Sequence, residues 1–307
     1  MDISLSAPQN VPLENHKPKW LDQDLFPYES RFIDLDGSRI HYVDEGSGPP
    51  LLMLHPAPAS SFIYRTFISR LRSSHRCLAL DYPGFGLSPM NNGNSLSLVS
   101  LSNIVQNFVR KIDLQGITMM VHDASGAIGL GAATADPERY EGFILTDTFA
   151  FPLDDYWPMR TMMRAVTSRP FRWINREANL MVRLVSSIAP VRRRLSANER
   201  EVYQQLFASG ESRDRILDLM QELLVQRDYL ARVEQGIRNN LSDRPALIMY
   251  GQFDPARLVG WPGRLEGLFP IHRSAVIPWE GHFPHEGSPD AMIEEIVSWR
   301  QSLNQRG

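Results

Sequence analysis

Met120-Val121-His122-Asp123-Ala124-Ser125-Gly126 joins a short apolar strand, Ile117 to Val121, to a helical stretch, Gly126 to Ala135. A nucleophile held on a tight strand-to-helix turn needs small residues behind it, because the backbone is strained there. With Asp123 in that role, Ser125 and Gly126 supply them. With Ser125 in that role, the residues two and three positions on are Ala127 and Ile128, and the isoleucine fits poorly. Asp123 is therefore preferred as nucleophile. Taken alone, the same aspartate also reads as a helix N-cap, a position where Asp is common, so the rest of the chain has to decide.

On either side of the junction the periodicity reads as alternating strand and helix. Upstream, Arg31 to Leu35 and Arg39 to Val43 flank the turn Asp36-Gly37, a hairpin signal. The apolar run Leu51 to Leu54, a helix from Ser61 to Leu71, a strand from Cys77 to Leu80 and a helix from Leu98 to Ile112 lead up to the junction. The strand Phe143 to Leu145 follows it. Then the alternation stops: from Phe151 to Asn240 the spacing is helical throughout, rich in Arg, Met and Leu. It resumes with strands Ala246 to Tyr250 and Ala275 to Ile277 and an amphipathic helix from Asp290 to Leu303. The pattern predicts an α/β fold, a mostly parallel sheet of eight strands covered on both faces. The core comprises residues 1–150 and 241–307, with residues 151–240 inserted as a helical cap over the edge where such sheets bind ligands.

The 307 residues suffice for a sizeable core. With 43% hydrophobic and 22% charged residues and a formal charge of −3, the composition gives no reason to expect nucleic acid or an anionic membrane as partner. Arg192-Arg193-Arg194 reads as a solvated helix face. The single cysteine, Cys77, excludes an internal disulfide and sits in an apolar run, so it reads as a small buried hydrophobe. The first twenty residues lack an apolar segment of the signal-peptide kind, and no stretch approaches the ~20 apolar residues of a membrane span. The expectation is a cytoplasmic enzyme without cofactor or metal, taking a small apolar molecule as partner; a homo-oligomer is left open.

Trp279-Glu280-Gly281-His282-Phe283 follows the last strand, where the chain order nucleophile, acid, histidine places the base. His282 is the first choice, and His285, one turn on, the second. Gly251-Gln252-Phe253-Asp254-Pro255 follows the preceding strand and offers Asp254 to orient the imidazole; Asp147, after Phe143 to Leu145, offers the same from a neighbouring strand.

With these residues in place, the chain resembles the haloalkane dehalogenase and epoxide hydrolase branch of the α/β-hydrolases. The likeness is carried by His41-Tyr42-Val43-Asp44-Glu45-Gly46-Ser47-Gly48, His55-Pro56-Ala57-Pro58, Asp81-Tyr82-Pro83-Gly84-Phe85-Gly86-Leu87-Ser88, His122-Asp123, Thr148-Phe149-Ala150-Phe151-Pro152 and Gly281-His282, in that order. The resemblance implies that the carboxylate attacks a saturated carbon to form an alkyl ester, which a histidine-activated water then hydrolyses. It also implies an oxyanion hole from the N–H groups of Ala57 and Ala124, each such donor being worth ~3 kcal/mol of barrier. Pro56 stands where the family usually has glycine.

Two departures bear on the substrate. Dehalogenases of this kind typically hold the halide with a tryptophan directly after the nucleophile and often an asparagine in the His-Gly-x-Pro motif. Here those positions are Ala124 and Ala57, which have no side-chain donor. Trp157 or Trp173 in the cap could partly substitute, although packing is the better reading for both. Epoxide hydrolases instead protonate the opening oxygen with cap tyrosines, for which Tyr156, Tyr203 and Tyr229 are available. The expectation is thus an Asp-nucleophile hydrolase with an epoxide as first substrate, atypical dehalogenation second, and a non-hydrolytic catalyst or ligand-binding protein on the same scaffold third.

Overall fold

The structure, a computed structural model, describes residues 17–91, 93–188 and 192–305; the reading of the chain's first sixteen residues lies outside them. Eight strands form one sheet: β1 (Arg31–Leu35), β2 (Ser38–Glu45), β3 (Pro50–Leu54), β4 (Arg76–Leu80), β5 (Ile117–Asp123), β6 (Tyr140–Thr148), β7 (Ala246–Gly251) and β8 (His272–Ile277). Their order is β1-β2-β4-β3-β5-β6-β7-β8, antiparallel at β1/β2 and β2/β4 and parallel from there on. The hairpin β1–β2 turns on Asp36 and Gly37, both at positive φ, as a two-residue loop between twisted strands requires. Strands buried on both faces are continuous apolar runs, and Leu51 to Leu54 and Ile117 to Val121 are buried throughout. Cys77 is one of these buried strand residues, and burial pushes its thiol up to about 12. Only β8, at the sheet's edge, alternates exposed and half-buried residues. Its polar first half accounts for the shorter strand expected there.

Among the described residues, six helices lie between β6 and β7: Trp157–Val166, Arg169–Ala178, Leu180–Ile188, Ala197–Leu206, Gly210–Val225 and Arg227–Asn240. They occupy the stretch expected to be helical. Two shorter helices between β7 and β8, Pro255–Leu258 and Trp261–Leu268, were not legible in the sequence; each opens with a proline in its first turn.

A buried ion cluster joins the helical block to the sheet domain. The Arg65 guanidinium donates to both oxygens of Glu286, at 2.6 and 2.7 Å, and to Glu199 at 2.6 Å. Glu199 also closes a capping box with Ser196, starting the helix Ala197–Leu206. Arg193 donates to Glu199 from the other side and reaches Glu286. The run Arg192-Arg193-Arg194 is exposed, as expected, but it lies between helices rather than on a helix face, and its middle residue reaches into this cluster. No helix among the described residues is long and apolar enough to cross a membrane.

Candidate active site

Asp123 is the last residue of β5 and has φ +54, so the chain leaves the sheet abruptly into the helix Ser125–Ala133. The register between β5 and β6 slips by one residue between His122 and Asp123, and the Thr148 hydroxyl donates to the Asp123 carbonyl at 2.5 Å. The turn is tight enough to demand glycine at 126: a Cβ there would stand 2.1 Å from Thr148 Oγ1 and 2.6 Å from the Phe149 carbonyl oxygen. Ser125 is buried, its hydroxyl donating to the His55 carbonyl and receiving a hydrogen bond from Tyr82 at 3.2 Å. Asp123, by contrast, lines the cavity beside this elbow.

His282 stands opposite. Its Nδ1–H donates to Asp254 Oδ2 at 2.7 Å, and its Nε2 lies 3.6 Å from Asp123 Oδ1. Asp254 Oδ1 accepts the backbone N–H of Ala256 at 2.6 Å, which starts the helix Pro255–Leu258 and fixes the carboxylate. Asp254 is thus the acid that meets the imidazole. Asp147 lies behind it, buried at the end of β6 with φ +44, accepting the Gly251 N–H at 2.8 Å. His285 does not reach the site: its ring stacks on His122 with centroids 4.4 Å apart, and its Nε2 meets the Thr146 hydroxyl at 3.2 Å.

The charges follow from these contacts. Burial works against a charged His282, yet the carboxylates of Asp254 and Asp123 hold its imidazolium well above the usual histidine range. Burial likewise opposes ionisation of Asp254, but the His282 pair holds it well below the usual carboxylate range. Asp147, Asp254 and His282 offer side-chain atoms within 4.8 Å of one another, a set that could suggest a metal. The 2.7 Å separation of Nδ1 and Oδ2 is instead that of a direct hydrogen bond.

Above Asp123 is a cavity of about 220 Å³. Its floor is Ala57, Pro58, Asp123, Asp254 and His282; its walls and roof are Phe149, Trp261, Phe283, Leu223, Val185 and five methionines, 159, 162, 163, 181 and 220. Ala57 lines the floor, and Ala124 stands just ahead of the helix Ser125–Ala133, where the first N–H groups have no partner inside the helix.

The cap residues expected to assist a leaving group are not among those lining the cavity. Trp157 and Trp173 are 72% and 68% exposed, on the outer face of their helices. Tyr203 is buried in the ion cluster, its hydroxyl donating to Glu286 at 2.6 Å, and Tyr229 donates to the Ala127 carbonyl at 3.0 Å. Tyr156 packs edge-on against Trp261 and beside Phe151, outside the cavity. Helical spacing alone does not say which turn of a helix faces inward, and none of these five residues lines the cavity.

Trp261 was not anticipated. It opens the helix Trp261–Leu268, seven residues after Asp254, and its ring lies 4.5 Å from that of Phe149. The side chain is 2% exposed and lines the cavity, and its Nε1–H has no hydrogen-bond partner among the described residues. The signal in the sequence was a Trp-Pro pair shortly after an acid, a pattern that gains meaning only once the strand before it is placed.

Comparisons with known proteins agree with the fold. Residues 51–295 match the alpha/beta hydrolase family. Haloalkane dehalogenase 2 of Mycobacterium tuberculosis is 32% identical over 281 residues, covering 90% of this chain and 96% of that protein. The cis-3-alkyl-4-alkyloxetan-2-one decarboxylase of Shewanella oneidensis is 28% identical over 276 residues, covering 85% and 80%. Among solved structures, haloalkane dehalogenase DbeA from Bradyrhizobium elkani superposes with a TM-score of 0.78 over 91% of this chain and 99% of that one, at 19% identity.

Proposed function

Because the chain belongs to the α/β-hydrolase family and is an α/β-fold hydrolase, we propose that it displaces leaving groups from saturated carbon through an ester on Asp123, with a carbon–halogen bond as the first substrate. The observation that carries this reading is the linear set Asp123, His282 and Asp254, with Nε2 of the histidine turned to the nucleophile and Nδ1 to the acid.

In the first step an Asp123 oxygen attacks the carbon, the carbon–halogen bond breaks with its electron pair, and the halide leaves. In the second step a water lying beside Asp123 and His282 Nε2 gives a proton to the imidazole and attacks the ester carbonyl. The N–H groups of Ala57 and Ala124 take the developing oxyanion. Collapse of the intermediate releases the alcohol and restores the carboxylate. Ester formation removes the Asp123 charge, which is one of the two that keep His282 protonated, so the base becomes available when it is needed.

The leaving group decides between substrates. Epoxide opening was the first expectation, but it needs a proton at the departing oxygen, and none of the cap tyrosines lines the cavity. Trp261 and His282 alone among the lining residues carry a side-chain N–H. An indole N–H in an apolar wall suits a leaving atom that departs as a stable anion. A halide fits, and so does the carboxylate released from an oxetan-2-one, a strained cyclic ester like the one in the name of the decarboxylase relative.

Incubation with 1-haloalkane, epoxide and cis-3,4-dialkyloxetan-2-one panels separates the three by halide, diol and 3-hydroxy acid release; alkene together with carbon dioxide from the lactone would instead mark decarboxylation of the ester intermediate without its hydrolysis. In a His282→Gln variant, mass spectrometry is expected to find a substrate-sized adduct on the peptide containing Asp123. Turnover by the wild type with no adduct on the variant removes the covalent route; diol formation outrunning halide release restores the epoxide.

A further inference from the structure

Asp147 is used by nothing in the reaction above, yet it is the most completely enclosed carboxyl of the site. It is 0% exposed, and its backbone sits in the left-handed region at φ +44, a conformation few side chains other than Asp and Asn adopt readily. One oxygen, Oδ1, accepts the Gly251 N–H at 2.8 Å. The other, Oδ2, is buried with no donor among the described residues. A carboxylate in that state would leave most of its charge uncompensated, at a cost far above that of an ordinary unpaired polar atom.

The neighbour is Asp254, whose side-chain oxygens lie with those of Asp147 and the nitrogen of His282 inside a 4.8 Å cluster. Two buried carboxyls at that range do not both ionise. The donors decide which one does. Asp254 has two, the His282 Nδ1–H and the Ala256 N–H, whereas Asp147 has one. The groups facing Asp147 are Asp254, His282 and Tyr250, and the Tyr250 hydroxyl is committed to the Thr148 carbonyl.

We propose that Asp147 is a positioning residue: a neutral carboxylic acid whose Oδ2–H donates to the Asp254 carboxylate, holding that acid in the orientation in which it supports His282. Burial first, and the charge on Asp254 second, push Asp147 well above the usual carboxylate range. The pair thus carries one negative charge behind the histidine, shared through a hydrogen bond, and the unpaired oxygen acquires a role. The inference rests on Asp254 being the acid that orients His282.

The test compares two substitutions. Asp147→Asn reproduces a neutral acid: its oxygen can accept from Gly251 and its amide can donate to Asp254. Asp147→Leu fills similar space with neither. In infrared difference spectra of folded wild type minus Asp147→Asn, the carbonyl stretch of a protonated carboxyl is expected at neutral pH; this readout does not depend on turnover or on the identity of the substrate. In kinetics, Asp147→Asn is expected to stay within about threefold of wild-type kcat. Asp147→Leu is expected to lose about tenfold or more, with the low-pH limb of the profile displaced, since His282 then faces a less firmly held acid. Absence of the carbonyl band overturns the proposal, and so does an asparagine variant as impaired as the leucine one. If the band is present but no ester forms on Asp123, the covalent route fails while the Asp147–Asp254 hydrogen bond stands.

Discussion

His122 Nε2–H donates to the backbone carbonyl of His282 at 2.7 Å, so the residue just before Asp123 holds the main chain of the histidine that faces it. The bond fixes the tautomer, because a carbonyl can only accept: the proton is on Nε2, and Nδ1 is bare and buried without a donor. Burial and the neighbouring imidazoles of His285 and His282 keep His122 neutral, well below the usual histidine range. The elbow and the base loop, 160 residues apart in sequence, are therefore one mechanical unit.

His122→Phe keeps the ring stack with His285 and removes the N–H. It is expected to lower kcat by about tenfold with little change in KM, because the His282 carbonyl is left unpaired and its loop loosened. Steady-state kinetics check this; a raised KM at unchanged kcat would place the effect on binding instead.

Trp261→Phe retains the contact with Phe149 and deletes an N–H of the cavity wall that has no partner among the described residues. Loss of a hydrogen bond of about 1–3 kcal/mol to the leaving group slows ester formation roughly 5- to 150-fold. Hydrolysis of the ester is expected to be unaffected, so rapid-quench measurement of the two steps locates the defect. Equal slowing of both would mean that the indole only packs.

The pH dependence follows from the raised His282. Ester formation needs the Asp123 anion, whereas ester hydrolysis needs a neutral imidazole. As pH falls through the histidine's range in the ester form, hydrolysis slows first and the alkyl-enzyme accumulates in the wild type. Acid-quenched samples analysed by mass spectrometry should show the adduct growing from pH 8 to pH 5. A constant or shrinking fraction would contradict the assigned base.

Arg65→Met is expected to destabilise the fold by about 3–5 kcal/mol, since it leaves Glu286 and Glu199 buried with much less positive charge. Denaturant unfolding measures it. A loss below about 1 kcal/mol would mean that Arg193 alone compensates both acids.

The fold was legible because its signals are local. The central strands are short buried, mostly apolar runs, the outer pair is marked by the hairpin at Asp36-Gly37, and the helical block is a long stretch without strand spacing, so the eight strands and their interruption could be read in order. The site was legible where chemistry sits at the end of a strand: Asp123, Asp254 and His282 all follow strands whose ends the apolar pattern marks. It was not legible in the helical block. Tyr156, Tyr203, Trp157 and Trp173 have the right chemistry, but which of them faces inward depends on how helices rotate against one another, a tertiary property with no trace in spacing. The ion pairs of Arg193 were missed similarly, because its partners Glu199 and Glu286 are brought to it only by the fold.

The five methionines over Asp123 give the enzyme a roof of unbranched, polarizable side chains in place of a rigid mould. Such a ceiling re-forms around molecules of different outline at little energetic cost, so the choice of substrate falls to the leaving group at the floor more than to the shape of the remainder. The same thioethers are open to peroxide. Conversion to sulfoxides would turn a greasy ceiling polar while leaving nucleophile, acid and base intact, and an oxidised enzyme should lose its grip on hydrocarbon chains before it loses its chemistry.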